Sequence, residues 1–498
     1  MLINYIFIPI IAAFFAYLLN KKAKYTGSII TSLISAYILY QLIGLYEKWS
    51  LSQTINFSIM GNELQFIFGN NPLTWLFGIM TAGTGLLIAL FSIKSQENYE
   101  LSSAFNFNFL ILIGSILGVV FAGDFLSLFI FWELMTWTSF YIISGGTKNM
   151  AKKSAYRYFI LSAVGAYTML MAIIMIYNQT GSFAFGETAQ YLMNLPTAHS
   201  LLLMVMMSLP FLTKAGLFPV HIWVKGAHGN APKEFSPFLS GLMLKVGIYG
   251  LLLVFYLLPF FKVMENTIAY RGLPIFGYIF ALFGAITTVT GTILAIRQED
   301  MKKLIAYSSI SQMGYIIMGL SLATPLGLTG GLLHMMNHLI FKSAIFLALA
   351  AVIYRTGTTK MYEMGGLIFK MPVTFATYLT AIIALAGIPP TNGFISKWVI
   401  YQALIQKGYL FLGVAAFFGS IGSFMYVFKP LSTVFLGQLK PQHEKIKEVP
   451  FLMQLPMYIL MILMVLFGVV PGIQMNIISK IAGYLSIEAV NYSLFTIE

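Results

Sequence analysis

The chain has 498 residues, of which 58% are hydrophobic and only 9% charged; a soluble domain carries roughly 25% charged residues, so water is not its main solvent. The formal charge of +13 would suggest nucleic acid, but the basic residues sit in short loops between apolar runs rather than in a stripe or arm, which argues against a nucleic-acid partner. Cysteine is absent, which excludes disulfides, thiolate metal sites, iron–sulfur clusters and a cysteine nucleophile within this chain, so any redox chemistry has to belong to partners.

Apolar runs of about 20 residues recur from end to end, long enough at 1.5 Å per residue to cross a hydrocarbon core of roughly 30 Å. Their punctuation by Gly, Pro and charge predicts an all-α integral membrane protein of about fourteen transmembrane helices. They fall at 3–20, 24–45, 72–95, 103–122, 124–145, 155–177, 200–222, 235–261, 274–297, 303–321, 326–354, 371–404, 409–437 and 453–475. The first run, Ile3 to Leu19, has no basic residue before it and no small-residue cleavage pattern after it, so it is expected to be the first span rather than a removed signal peptide.

Loops after odd-numbered spans hold most of the basic residues, including Lys21, Lys22, Lys24, Lys94, Lys148, Lys152, Lys153, Arg157, Lys225, Lys233, Arg297, Lys302, Lys303, Arg355, Lys360, Lys370, Lys429, Lys440, Lys445 and Lys447. The opposite side holds Lys48, Lys262, Arg271, Lys407 and Lys480. Positive charge is retained on the cytoplasmic side, so the expected topology is a multi-pass protein of the cell membrane with both termini outside. Lys214, Lys245, Lys342 and Lys397 fall inside predicted spans.

Taken in order, Asp124 opens span five, where a carboxylate is favourable at a helix start whatever its function. Glu133 follows near the middle of that span with no acid within four positions. A lone carboxylate there would take up a proton, so it needs a cation. The plain alternative is a fixed Glu–Lys tie between helices; the functional one is a pair with Lys214 that opens and closes, handing over a proton as it does so. Span seven is interrupted at Pro210 and Pro219 around Lys214, and span twelve at Pro389-Pro390 before Lys397. Proline removes a backbone donor, so both helices should break, and non-helical backbone survives at that depth only inside protein or beside a hydrated cavity. The two breaks, in spans seven and twelve, are five spans apart, an odd offset. Equivalent segments would therefore run in opposite directions, as an inverted repeat of helices 4–8 and 9–13 requires.

Lys245 lies in span eight, while His334, His338 and Lys342 recur every four residues in span eleven and share one face. Histidine titrates near neutrality and relays protons. A His-x-x-x-His pair also suits zinc, but no Glu follows the first histidine and no third ligand is evident, so no metal is expected. Core histidines bonded to a carbonyl, and a Lys342 that satisfies a carbonyl or reaches the headgroups, are the structural alternatives. His221 and His228, near the end of span seven, are weaker candidates for the same path. The Tyr307-Ser308-Ser309-Ile310-Ser311-Gln312 patch of span ten suits either a water chain or helix–helix adhesion.

Several of these motifs together resemble the antiporter-like subunits shared by respiratory complex I, Mrp-type Na+/H+ antiporters and membrane-bound energy-converting hydrogenases. Phe131-Trp132-Glu133-Leu134 looks like the helix-five motif whose glutamate is essential for transport. Ala155 to Ala163 resembles the start of helix six, and Lys214 and Lys245 match the lysines of helices seven and eight. The stretch from Asp300 to Tyr315 is the most specific match, and His338 and Lys397 fall at the helix-eleven and helix-twelve positions. Where many relatives carry Trp-Leu-Pro-Asp-Ala-His, this chain has Trp223-Val224-Lys225-Gly226-Ala227-His228, so that aspartate has no counterpart. Lysine rather than glutamate at 397 points to an Mrp D-like or hydrogenase-type subunit.

The resemblance implies proton translocation, or Na+/H+ antiport, along Glu133, Lys214, Lys245, His338 and Lys397, in a bilayer and beside other membrane subunits of an Mrp, hydrogenase or complex I-like assembly. Expected divisions are 1–102 (helices 1–3), 103–262 and 263–437 (two repeats) and 438–498 (helix 14 and tail). No cofactor is expected. The competing expectation is a non-conducting scaffold or quinone-site subunit that anchors a redox arm; no amphipathic crevice with polar anchors, as a quinone would need, is evident in the sequence.

Overall fold

The computed structural model describes residues 1–21, 23–59, 62–96, 99–146, 150–258, 260, 267 and 272–486. Lys22, Lys148, Lys262 and Arg271 of the charge pattern lie outside the described residues, as does the end of the 438–498 segment.

Helices α1 (Leu2–Asn20) and α2 (Thr26–Ile43) lead into an antiparallel hairpin, β1 (Ser52–Ile59) and β2 (Asn62–Gly69). There follow α3 (Pro72–Ser95), α4 (Tyr99–Phe121), α5 (Phe125–Ser144), α6 (Ala151–Thr180), the short α7 (Phe185–Met193), α8 (Thr197–Ala215) and α9 (Val224–Asn230). Next come α10 (Ser236–Leu257), α11 (Ile275–Ile296), α12 (Met301–Leu320), α13 (Pro325–Thr356), α14 (Pro372–Ala386) and α15 (Asn392–Gln406). The series closes with α16 (Leu410–Phe435), α17 (Phe451–Val469) and α18 (Gly472–Leu485).

The protein is an all-α integral membrane protein. Among the described residues, twelve helices are long and apolar enough to span a bilayer. Two further predicted spans differ for a physical reason: α12 is rich in polar residues that face inward, and α14 and α15 are halves of one interrupted span. The hairpin, α7 and α18 were not predicted. In the hairpin, Ile55 and Phe66 pack against the apolar core while Thr54, Asn56 and Gln65 remain exposed, the two-residue alternation of a half-buried strand that a search for long apolar runs passes over.

At the centre runs α10, apolar apart from a few groups such as Ser240 and Lys245 and buried all round, as a helix with so little polar surface must be. It crosses α8 at Gly247, where a Cβ would stand 2.4 Å from the Ala215 nitrogen and 2.6 Å from the Phe211 oxygen. Only a residue without a side chain permits that approach. Two π-turns, Leu239–Met243 and Leu253–Leu257, interrupt its hydrogen-bond ladder.

A constant offset of 176 residues separates two clasps in the chain. Asp124 caps α5 and accepts from the Ser127 amide at 2.7 Å; Asp300 caps α12 and accepts from the Lys303 amide at 3.1 Å. Gly181 ends α6 with φ 67°, and Gly357 ends α13 with φ 72°, left-handed caps that glycine adopts without strain. Beyond those caps the chain returns to the aspartate. Phe125 and Phe185 donate to Phe183 and Gly123, and Met301 and Met361 donate to Thr359 and Glu299. The offset changes farther on, since the caps at the two helix breaks, Gly216 and Gly387, stand 171 residues apart.

Candidate functional site

Each break leaves helix carbonyls without their intrahelical donors, and each half satisfies them differently. After α8 ends at Gly216 (φ 67°), the chain passes through Pro219 and a 3-10 turn, Val220–Trp223, before α9. The Trp223 indole donates to the Thr213 oxygen at 2.7 Å. In the second break, after Gly387 (φ 81°), the Lys397 ammonium reaches back from α15 to the Leu385 and Ala386 oxygens at 2.8 and 3.1 Å. Lys397 also lies over the Tyr315 ring, 5.1 Å from its centroid.

Lys214, in the last turn of α8, is 1% exposed. Its Nζ donates to Thr136 Oγ1 at 3.1 Å and to the Tyr158 hydroxyl at 2.5 Å, and it lies 5.3 Å from the Trp132 ring centroid. No ion pair joins it to Glu133. The ion pairs among the described residues are Lys233–Glu234, Lys360–Glu363 and Lys480–Glu47. Glu133 is half-buried on α5 with Oε1 inside the protein and without a hydrogen-bond partner among the described residues. The expected pair is thus seen apart.

Lys245 sits just past the first π-turn of α10, is 0% exposed, and donates to the Ser240 oxygen at 2.6 Å. The turn frees that carbonyl from the regular ladder, the kind of local irregularity often found at functional sites. Lys245 also contacts Nδ1 of His338, while the other ring nitrogen of His338 has no partner among the described residues. His334 lies one turn away on α13, with ring centroids 6.4 Å apart. It bonds Ser396 Oγ at 2.9 Å and Gln312 Oε1 at 3.1 Å, which carries the polar line to the residue before Lys397. Lys342 is 0% exposed and donates to the Ile305 oxygen at 3.1 Å and to Ser308. It satisfies a carbonyl and does not reach a surface.

His228 is fully buried on α9, stacked on Phe346 with centroids 5.5 Å apart, and neither ring nitrogen has a partner among the described residues. His221 is half-buried in the 3-10 turn beside the Phe218 ring. The structure bonds neither of them to the five principal groups. The described residues contain no group of three or more His, Asp or Glu placed to hold a metal.

Tyr158, Thr136, Ser240 and Ser396 are contacts that the sequence did not single out. The polar patch of α12 now has partners: Ser309 bonds Ser240 at 2.7 Å, Ser311 bonds Thr292 at 2.9 Å, and Gln312 holds His334. The signal that could have found Thr136 and Tyr158 is the 176-residue register, which pairs Thr136 with Gln312, Ser139 with Tyr315 and Tyr158 with His334; it gives no such signal for Ser240 or Ser396.

A family model described as NADH:quinone oxidoreductase/Mrp antiporter, transmembrane, matches residues 122–424. The chain belongs to that family. Among curated relatives of this antiporter-family chain is the Na(+)/H(+) antiporter subunit A1 of Staphylococcus aureus (strain bovine RF122 / ET3-1), 30% identical over 453 residues, covering 84% of this chain. The same subunit from strain Newman is 29% identical over the same length. This chain spans 55% of the length of these relatives. Among solved structures, a chain of the membrane-bound sulfane sulfur reductase, an archaeal respiratory membrane complex, is 36% identical with a TM-score of 0.86, covering 96% of this chain and 77% of that one. A chain of the Mrp complex from Dietzia sp. DQ12-45-1b is similar in fold at 18% identity (TM-score 0.86, 99% and 98% covered). So is a chain of respiratory complex I from Thermus thermophilus, at 21% identity (TM-score 0.82, 99% and 100% covered).

Proposed function

We propose that this chain is the proton-translocating subunit of a multisubunit membrane complex, and that Glu133, Lys214, Lys245, His338 and Lys397 carry the ion path, with His334, Lys342, His221 and His228 in supporting places. Sodium is the alternative coupling ion, as the name of the antiporter relatives suggests. The complex is of the Mrp, hydrogenase or complex I-like kind and resides in the cell membrane, with the lysine-rich loops in the cytoplasm and both termini outside.

The observation that carries the proposal is the polar line Lys245, His338, His334, Ser396, Lys397, which crosses from α10 through α13 to the broken span α14–α15. Four buried lysines in an apolar bundle are costly to keep, roughly 2.5–3.5 kcal/mol each at mid-membrane on insertion scales. Here each ammonium is satisfied by neutral oxygens or an imidazole rather than by a carboxylate. A lysine solvated in that way can gain or lose a proton without breaking a fixed ion pair. Approach of the Glu133 carboxylate holds the proton on Lys214, and its withdrawal releases the proton toward the centre.

Support for two inverted repeats, about 103–262 and 263–437, comes from the two clasps. Helices α5 and α12 are spans five and ten, an odd offset of five, so clasps at equivalent positions face opposite membrane surfaces.

The test is ion transport in vesicles carrying the whole complex. Glu133→Ala or Lys214→Ala should abolish transport while the complex still assembles, and unchanged transport would remove the central claim. Apolar replacements that leave transport intact but prevent assembly would select the scaffold alternative.

A further inference from the structure

Resting on that reading, we infer that Tyr158 is a positioning residue that makes the Glu133–Lys214 pair a switch, by offering the Lys214 ammonium a second, neutral station apart from the carboxylate. Tyr158 is 0% exposed on α6, and its ring packs on Trp223 with centroids 4.9 Å apart. Its hydroxyl lies 2.5 Å from Lys214 Nζ and 2.5 Å from Ser139 Oγ.

The direction of the hydrogen bonds is fixed by their ends. Lys214 can only donate to Tyr158, because a tyrosine oxygen facing an ammonium has to accept. The tyrosine proton therefore points to Ser139, whose own proton goes to the Met135 oxygen at 2.7 Å. A chain ending on a backbone carbonyl polarises the Tyr158 oxygen as an acceptor aimed at Lys214. Thr136 Oγ1, at 3.1 Å, is the other arm of the cradle. The charged groups that face Tyr158 are Lys214 from α8 and Glu133 from α5.

In the second half the 176-residue register puts Gln312, Tyr315 and His334 in the places of Thr136, Ser139 and Tyr158, with the Tyr315 hydroxyl bonded to Ala416 and Ser420 rather than to His334. No lysine takes the place of Lys214 there, since the 171-residue register of the breaks pairs Lys214 with Leu385. Lys397 holds the open carbonyls of Leu385 and Ala386, while His334 bonds Gln312 and Ser396 instead. In the first half the Thr213 oxygen, in the last turn of α8, is taken by Trp223 and not by a lysine. Without the Tyr158 hydroxyl, Lys214 keeps only Thr136 Oγ1 as a neutral side-chain acceptor, and the attraction of the Glu133 carboxylate would draw the pair into a closed bridge.

The experiment compares transport of the assembled complex in vesicles, as a function of pH, for wild type, Tyr158→Phe and Tyr158→His, with Glu133→Gln alongside. Loss of one hydrogen bond to a charged group should lower the rate about tenfold in Tyr158→Phe, and should displace the pH profile because the proton affinity of the pair has changed. Tyr158→His, which restores an acceptor of the kind that His334 supplies in the second half, should recover part of the rate. A Tyr158→Phe complex with wild-type rate, or with a reduced rate but a superimposable pH profile, overturns the inference and leaves the ring as packing alone. If Tyr158→Phe does not assemble, Thr136→Val is judged by the same two criteria. Normal transport by Glu133→Gln would instead count against the wider ion-path proposal.

Discussion

Lys245 and His338 touch each other across α10 and α13, and the Ser240 carbonyl released by a π-turn holds the lysine from the other side. Two groups that share one contact in a dry interior should act as a unit. Lys245→Ala and His338→Ala are each expected to lower transport by at least about tenfold, and the double variant should be little worse than either. A double-mutant cycle on transport rates in vesicles checks this; fully additive losses would mean that the two side chains serve separate purposes.

Lys342 offers a cleaner separation of transport from folding. The Ile305 oxygen it holds also accepts from the Ser308 and Ser309 hydroxyls, at 2.8 and 3.0 Å. Removing the lysine therefore leaves no orphaned carbonyl, and Lys342→Met should change thermal stability by less than about 1 kcal/mol. A transport defect in this variant, at normal complex yield and melting temperature, would place Lys342 in the ion path; normal transport would leave it as a structural lysine.

The two aspartate clasps should contribute to stability and not to transport. Asp124, only 1% exposed, receives the Ser127 amide and hydroxyl and the Ile67 amide; Asp300, less deeply buried, receives the Lys303 amide and the Thr359 hydroxyl among its partners. Loss of a helix cap costs about 1–2 kcal/mol, and a buried amide left unpaired adds to that. Asp124→Ala should therefore lower the melting temperature of the purified complex more than Asp300→Ala. Transport per assembled complex should stay near wild type for both, and a selective transport loss at normal stability would contradict this assignment.

At the second break, a Cβ on Gly393 would stand 1.8 Å from the Ala384 oxygen, backbone against backbone. No side-chain adjustment relieves such a contact, so Gly393→Ala should separate α14 from α15 and cut the yield of assembled complex severely. Gly413 on α16 has nothing within 4 Å of its Cβ position. Gly413→Ala should therefore be tolerated, and comparing the yields of the two variants decides whether the half-helix contact is needed.

Much of the architecture can be read from the sequence because the bilayer imposes a length and a polarity on each segment. The span at 72–95 is observed as Pro72–Ser95, and its start is marked in the sequence by Asn71 capping and Pro72 at the first turn. Pro219, Pro389 and Pro390 mark the two breaks for the same local reason, whereas the interruption expected at Pro210 is not found: that residue lies within the continuous helix α8, which ends only at Gly216. Lys214, Lys245, Lys342 and Lys397 are conspicuous because a charge inside an apolar run is visible without knowing what surrounds it.

Contacts between distant parts of the chain could not be read in that way. Nothing local distinguishes Tyr158 from Tyr156 two residues earlier, yet one is buried against Lys214 and the other 58% exposed. The separation of Lys214 from Glu133, the hold of Lys397 on the carbonyls ahead of its own half-helix, and the meeting of Lys245 with His338 depend on how α5, α6, α8, α10 and α13 are packed. Which residues must be kept from lipid is legible one side chain at a time, since transfer into hydrocarbon is a property of each side chain. Which of them solvate one another emerges only from the packed bundle, since hydrogen bonding at that depth depends on partners that lie tens to hundreds of residues away.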